Sequence, residues 1–290
     1  MTDRTRIELD RLPTAGPSYR RALLGALPLG GRRGGDTLPA VEFAVAGVTV
    51  DRTHLAEYDR VCGFRLTDEV PGTYPHVLGF PLALRLMTGA GFPLPLIGLV
   101  HVANRITVHR RIDAGETLDL VAYAEGLRPH ERGRQVDVVL LASVAGVPVW
   151  HGVSTYLRRE PTPDGRAGRD HRDRPTPPPA SAHWRVTPQT GTEYARVSGD
   201  HNPIHTSRLG ARLFGFPRPI AHGMWSKARC LAALAGRLPA AYTVAVEFKA
   251  PVRLPSTVGF HSTPDGAFAL HDPRTGRPHL TGTLTSLAQR

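Results

Sequence analysis

This chain repeats itself, and that restricts its fold more than any other feature. Tyr58-Asp-Arg-Val-Cys-Gly63-Phe64 aligns with Tyr194-Ala-Arg-Val-Ser-Gly199-Asp200 at an offset of 136, keeping Tyr, Arg, Val and Gly. Pro75 to Arg85 aligns with Pro219 to Arg229 at an offset of 144, keeping Pro, Gly and Arg. Ile106 to Leu120 aligns with Val246 to Phe260 at an offset of 140. Three matches in the same order are the trace of a duplicated unit. A length of 290 residues suits two domains of ordinary size, and 41% hydrophobic content can fill their cores.

The repeat predicts an N-terminal domain over 1–158 and a C-terminal domain over 183–290, joined by a linker over 159–182. That linker has no large apolar residue and many prolines and charges, so it reads as extended and mobile. It is long enough to let the two copies lie side by side as a pseudo-dimer. Val136–Val144 followed by Val147–Tyr156 reads as a hairpin, with β-branched residues and a Gly-containing break. Thr243–Lys249 and Ser256–Ser262 read as the equivalent strands of the second copy, with shorter partners at Ala267–His271 and Leu280–Leu284. Met224, Ala228, Leu231 and Leu234 recur at helical spacing before Gly236, which predicts a central helix over 224–234 with a first-copy partner over 80–87.

The change of offset from 136 to 144 also locates the chemistry. The second copy carries eight extra residues between its Gly199-Asp200 and its His222-Gly223, where Asn202-Pro-Ile-His205 and Leu213-Phe-Gly-Phe fall. Asp200 and His205 are five apart with Pro203 between them, so their side chains leave an irregular segment rather than a helix face. They can converge on one small atom, such as water. The plainer reading makes Asp200 a cap, Asn202-Pro203 a turn and His205 a surface residue. In the first copy Phe64 stands at the aspartate position and nothing equivalent to His205 precedes Gly79, so only the C-terminal copy can move protons.

As one string, Tyr194-x-x-Val-Ser-Gly-Asp200-x-Asn-Pro-Ile-His205, followed by Ala211 and Ile220-Ala-His-Gly223-Met, resembles the signature of the MaoC-like, R-specific enoyl-CoA hydratase family. The resemblance covers roughly residues 185 to 290. It implies an α+β double hot-dog fold, two antiparallel sheets each wrapped around a central helix, forming an intrachain pseudo-dimer. It also implies reversible hydration of trans-2-enoyl thioesters to (R)-3-hydroxyacyl thioesters in fatty-acid metabolism, on coenzyme A or acyl carrier protein. Asp200 and His205 are then the catalytic dyad, with the assignment of acid and base open. The backbone N–H of Gly223, at a helix N-terminus, would stabilise the enolate oxygen, although the glycine can equally serve close packing. Asn202 supports the loop or fills a turn, and Ser198 shapes the loop. A degenerate copy beside an active one resembles family members that accept medium or long acyl chains. A non-catalytic thioester-binding protein and a hot-dog thioesterase are the alternatives.

A formal charge of +11 suits coenzyme A phosphates or an acidic carrier protein. The bases are scattered, with no stripe or interleaved aromatics for nucleic acid. No apolar run approaches the roughly 20 residues of a membrane helix, and the first residues mix acids with bases ahead of no apolar stretch, so a cytoplasmic enzyme is expected. Cys62 and Cys230 lack metal-ligand spacing and are expected reduced and buried. The resemblance gives His222 no proton-transfer role, so it is read as packing; His109, His130, His151, His261 and His279 form no ligand pattern, so neither metal nor cofactor is expected. Association of two pseudo-dimers is left open.

Overall fold

A computed structural model describes residues 4–14, 35–160 and 179–287. Its elements fall into one order stated twice. The first copy runs β2 (Val41–Thr49), α1 (Arg52–Cys62), α2 (Tyr74–Met87), β3 (Leu99–Val108), β4 (Thr117–His130), β5 (Gly133–Val144) and β6 (Val147–Arg159). The second runs β7 (Ala182–Val186), α3 (Pro188–Ser198), α6 (Gly223–Leu234), β8 (Tyr242–Phe248), β9 (Ser256–Ser262), β10 (Ala267–His271) and β11 (Pro278–Ser286). Two short helices, α4 (Pro203–Thr206) and α5 (Arg208–Leu213), are inserted between α3 and α6. A short strand β1 (Thr5–Glu8) pairs parallel with β2. Residues 161–178, most of the expected linker, lie outside the described residues; Arg159 ends β6 and Ala182 begins β7.

The strand order β1-β2-β4-β5-β6-β3-β8-β11-β10-β9-β7 reads the same from either side of the β3–β8 junction once β1 is set aside. This is the double hot-dog arrangement: two antiparallel sheets, each with its own helix, joined edge to edge. Pairing β3 with β8 over Ala103–Val108 removes the exposed edge that each copy would otherwise present. Equivalent residues meet along the two-fold relation. The equivalent Tyr58 and Tyr194 rings lie 6.4 Å apart, and across the β3–β8 seam the Thr107 and Thr243 hydroxyls are 3.0 Å apart. Arg60 pairs with Glu193 at 3.6 Å while Arg196 pairs with Glu57 at 3.3 Å. These ion pairs are exposed and worth little energetically; their reciprocity identifies the symmetry.

Helices α1 and α3 have the same length and the same stop. Asp51 caps α1 by accepting from the N–H groups of Thr53 and His54, and Pro188 opens α3 where its missing N–H costs nothing. Gly63 (φ 79°) and Gly199 (φ 71°) then take the left-handed conformation that turns the chain out of each helix, a geometry glycine adopts without strain. The β5–β6 hairpin turns through Ala145 (φ 48°) and Gly146 (φ 78°), a two-residue loop.

The first-copy helix departs from expectation. It starts at Tyr74, not Phe80, because Pro75 fits the first turn and the helix accommodates Pro81 in its interior. Gly79 consequently lies mid-helix rather than at a helix start. A Cβ there would stand 3.0 Å from both Leu140 methyls, so this glycine serves close packing of helix on sheet. Cys62 and Cys230 are buried free thiols, as expected. The sequence gives no hint of Lys227, which is fully buried under the seam between copies. Its side-chain nitrogen lies within hydrogen-bond distance of Asn104 Oδ1 (2.5 Å), Asn104 O (3.2 Å) and Val244 O (3.1 Å), so β3 and β8 together satisfy it while burial lowers its pKa well below the ordinary lysine value.

Candidate active site

Below Gly199 the chain builds a ladder of local bonds. Ser198 Oγ accepts from Asp200 N–H (3.2 Å), Asp200 Oδ1 from Asn202 N–H (3.2 Å), and Asn202 Oδ1 from Ile204 N–H (3.3 Å). Such side-chain-to-backbone bonds two residues apart are how Ser, Asp and Asn fix a turn. Asn202 thereby caps α4, and Pro203 opens that helix instead of excluding one. The irregular segment expected here is therefore a capped single turn.

His205, buried in this turn, donates from Nδ1 to Ile220 O at 2.8 Å. Ile220 is itself held where Pro219–Ala221 runs beside Val252–Leu254, through Ala221 N to Val252 O (2.9 Å) and Leu254 N to Pro219 O (2.8 Å). With Nδ1 carrying the proton, neutral His205 keeps its lone pair on Nε2. Burial lowers the pKa of this imidazole, against a smaller raising effect of Asp200. His205 is thus an uncharged imidazole at neutral pH.

His222, which the sequence reading set aside as packing, completes the cluster. Its ring stacks on His205 at 3.7 Å, and its Nε2 donates to Asp200 O at 3.0 Å with Asp200 Oδ2 at 3.9 Å. A carboxylate oxygen of Asp200 and one ring nitrogen each of His205 and His222 lie within 4.8 Å of one another. That spacing alone would admit a metal ion. However, His205 Nδ1 and His222 Nε2 are committed to backbone carbonyls, which leaves one nitrogen on each ring.

Two glycines absent from the sequence reading set the position of this loop. A Cβ on Gly191 of α3 would stand 2.4 Å from His205 O, and one on Gly210 of α5 would stand 2.5 Å from Pro203 Cβ. Their only sequence signal is a glycine inside a helical segment, which costs stability unless packing requires it. Gly223 opens α6, whose N-cap residue His222 makes no side-chain cap, so the first backbone N–H groups remain for another acceptor. Its missing side chain also admits the Phe248 ring, which a Cβ would meet at 3.0 to 3.2 Å.

Asp200, Asn202, His205, Ser198 and Gly223 all line one cavity of about 1240 Å³. Its other wall is supplied by the first copy, through α2, the start of β3 and the end of β6. Arg128, Arg132, Arg159, Lys249 and Arg253 stand among the lining residues. Phe64 is not one of them; it stacks on Tyr58 at 6.2 Å and packs on the core.

Four lining histidines are desolvated. Burial pushes His76 down to about 4 and His101 and His222 to about 3 from an ordinary 6.5, with His205 lowered also. As pH falls below about 6.5 the unfolded chain takes up protons that the folded chain refuses, so stability must drop. The melting temperature is expected to be level just above pH 6.5 and to fall progressively between pH 6.5 and about 4. Thermal melts across that range test this; a level profile would contradict the burial of neutral imidazoles.

Residues 173–271 match the family model for the MaoC like domain. Over 279 residues the chain is 39% identical to 3-hydroxyacyl-thioester dehydratase X of Mycobacterium tuberculosis, covering 95% of this chain and 99% of that one. The crystal structure of HtdX from Mycobacterium tuberculosis superposes with a TM-score of 0.76 at 38% identity, over 85% of this chain and 100% of the other. A MaoC-like dehydratase from Phytophthora capsici shares the fold with a TM-score of 0.66 at 19% identity, over 86% of this chain and 95% of that one.

Proposed function

Because the chain belongs to the MaoC-like dehydratase family, we propose that it reversibly hydrates trans-2-enoyl thioesters to (R)-3-hydroxyacyl thioesters in fatty-acid metabolism. The observation that carries the site assignment is the neutral His205, its proton fixed on Nδ1 by Ile220 O, beside the Asp200 carboxylate and within one cavity with the start of α6. Water held by the dyad loses a proton as its oxygen bonds to C3 of the enoyl chain. The double-bond electrons move toward C1, and the thioester oxygen becomes an enolate oxygen that the Gly223 N–H and the helix dipole stabilise. The dyad returns a proton to C2. Dehydration is the reverse. His205 suits the role of base in the hydration direction, and Asp200 and His205 act as one unit. Asn202 and Ser198 hold the loop and move no proton.

In this reading the C-terminal copy, 183–290, carries the chemistry, and the N-terminal copy, 1–158, supplies the far wall of the cavity. The bases among the lining residues suit the phosphates of coenzyme A or the acidic face of an acyl carrier protein. No described helix is long and apolar enough to cross a membrane. The two free thiols suit a reducing cytoplasm.

The test is loss of enoyl absorbance on a series of trans-2-enoyl-CoA and carrier-protein thioesters of rising chain length. We expect absorbance to fall without release of free thiol, most rapidly for medium or long chains. Thiol release would convert the reading to a thioesterase; no reaction with either carrier would make the chain a binding protein.

A further inference from the structure

The copy that lacks a dyad contributes more to the cavity than an apolar wall. Along α2, His76, Phe80, Leu84 and Met87 recur at helical spacing and line it, so the stripe is apolar except at its first member. His76 is only 6% exposed, and among the described residues it makes no hydrogen bond. His101, at the start of β3, lies 6.4 Å from His76, stacks on Tyr156 at 4.7 Å and meets Phe248 at 5.0 Å. That same Phe248 ring covers Gly223, so one aromatic side chain separates His101 from the helix end where the thioester oxygen would sit.

His101 is incompletely satisfied. Its Nε2 is buried and has no partner among the described residues. In the tautomer protonated on Nδ1, the neutral ring presents its lone pair on Nε2, an acceptor. Burial keeps both histidines uncharged at neutral pH, so neither is a site for an anion. An alkyl chain laid along α2 would leave this nitrogen unpaired, as it already is, whereas a group with an O–H or N–H that reaches it would gain a hydrogen bond.

We propose that His101, with His76 and Tyr156 beside it, forms a polar recess. It binds a hydrogen-bond donor that the thioester carries away from its reacting carbons: a hydroxyl on the acyl chain or an amide N–H of the pantetheine arm. The proposal rests on the hydratase reading for its substrate class. It assigns His101 as a specificity-determining residue contributed by the copy without a dyad.

Three kinds of substrate separate the two sources. They are trans-2-octenoyl-CoA, the same chain with one hydroxyl placed in turn on each carbon beyond the third, and the trans-2-octenoyl thioester of ethanethiol, which has no amide. For an acyl hydroxyl, we expect kcat/KM to favour one hydroxylated chain over the plain chain by roughly five- to tenfold, and His101→Phe to erase that preference. The phenylalanine ring keeps the contacts with Tyr156 and Phe248. His101→Gln, which retains an acceptor, should restore part of it. For a pantetheine amide, His101→Phe should lower the ratio of kcat/KM for the CoA thioester to that for the ethanethiol thioester by a similar factor. Identical ratios across the set in wild type and variant would overturn the proposal. Calorimetric Kd values of wild-type protein for octanoyl-CoA, its hydroxylated forms and octanoyl ethanethiol thioester read the same preferences without turnover or any variant. A protein that binds with these preferences yet hydrates nothing would refute the hydratase reading and leave the recess standing.

Discussion

His205→Ala is expected to lower kcat by roughly a hundred- to ten-thousandfold, the usual contribution of a positioned general acid or base. Asp200→Asn should fall in the same range, because an amide keeps the shape of the loop while losing the charge that holds water and proton. The two should not add. Groups that act on one water fail together, so the double variant is expected to be no slower than the worse single one. Asn202 Oδ1 and Ser198 Oγ still cap and brace the loop in both variants, so circular dichroism should report an intact fold. Steady-state rates on the best enoyl thioester decide the matter: near-normal turnover in either single variant would remove that residue from the dyad.

The second large effect is expected at a residue that touches no substrate. Gly191 lies inside α3, where alanine would favour the helix by roughly 1 kcal/mol. The structure reverses that sign. A Cβ at this position would stand 2.4 Å from the backbone oxygen of His205, and backbone cannot rotate away as a side-chain tip can. Either α3 or the His205 turn must shift by several tenths of an ångström. The turn is the softer of the two, being a single helical turn held by local bonds. Gly191→Ala should therefore lower kcat by about a hundredfold, the scale of loss that follows a misplacement of about 1 Å near the chemistry, while lowering the melting temperature slightly. Rates and thermal melts on the same preparation test this. Full activity would mean that the helix, not the dyad, yields.

Much of the fold is legible in the sequence because duplication leaves local traces. The offset of 136 relates α1 to α3 residue for residue, down to the left-handed glycines that end them and the reciprocal Arg60–Glu193 and Arg196–Glu57 pairs. The start of the first-copy helix is not legible, because Pro75 and Pro81 suppress helical expectation that packing against β4 and β5 restores. Lys227 is equally opaque. A lysine on a helix reads as solvated, and only the three carbonyl oxygens of β3 and β8 make its burial tolerable.

The candidate site divides the same way. Asp200, Asn202 and His205 fall within six positions, and the hydrogen-bond ladder through Ser198, Asp200 and Asn202 depends on neighbours in the chain, so it is visible as a motif. His222, His76, His101 and Tyr156 join them from separate elements. No periodicity connects residues that far apart, and a lone histidine in an apolar segment carries no mark of what it will face. The sequence by itself determined that there are two copies and that only one of them carries the string with Asp200, Asn202 and His205, since both facts reside in short strings. Only the tertiary structure decided that β3 would lie against β8 and that the copy without a dyad would wall the cavity of the other. Those outcomes depend on which edges and faces meet when the hydrophobic surface is buried, and that choice is made by the whole chain at once.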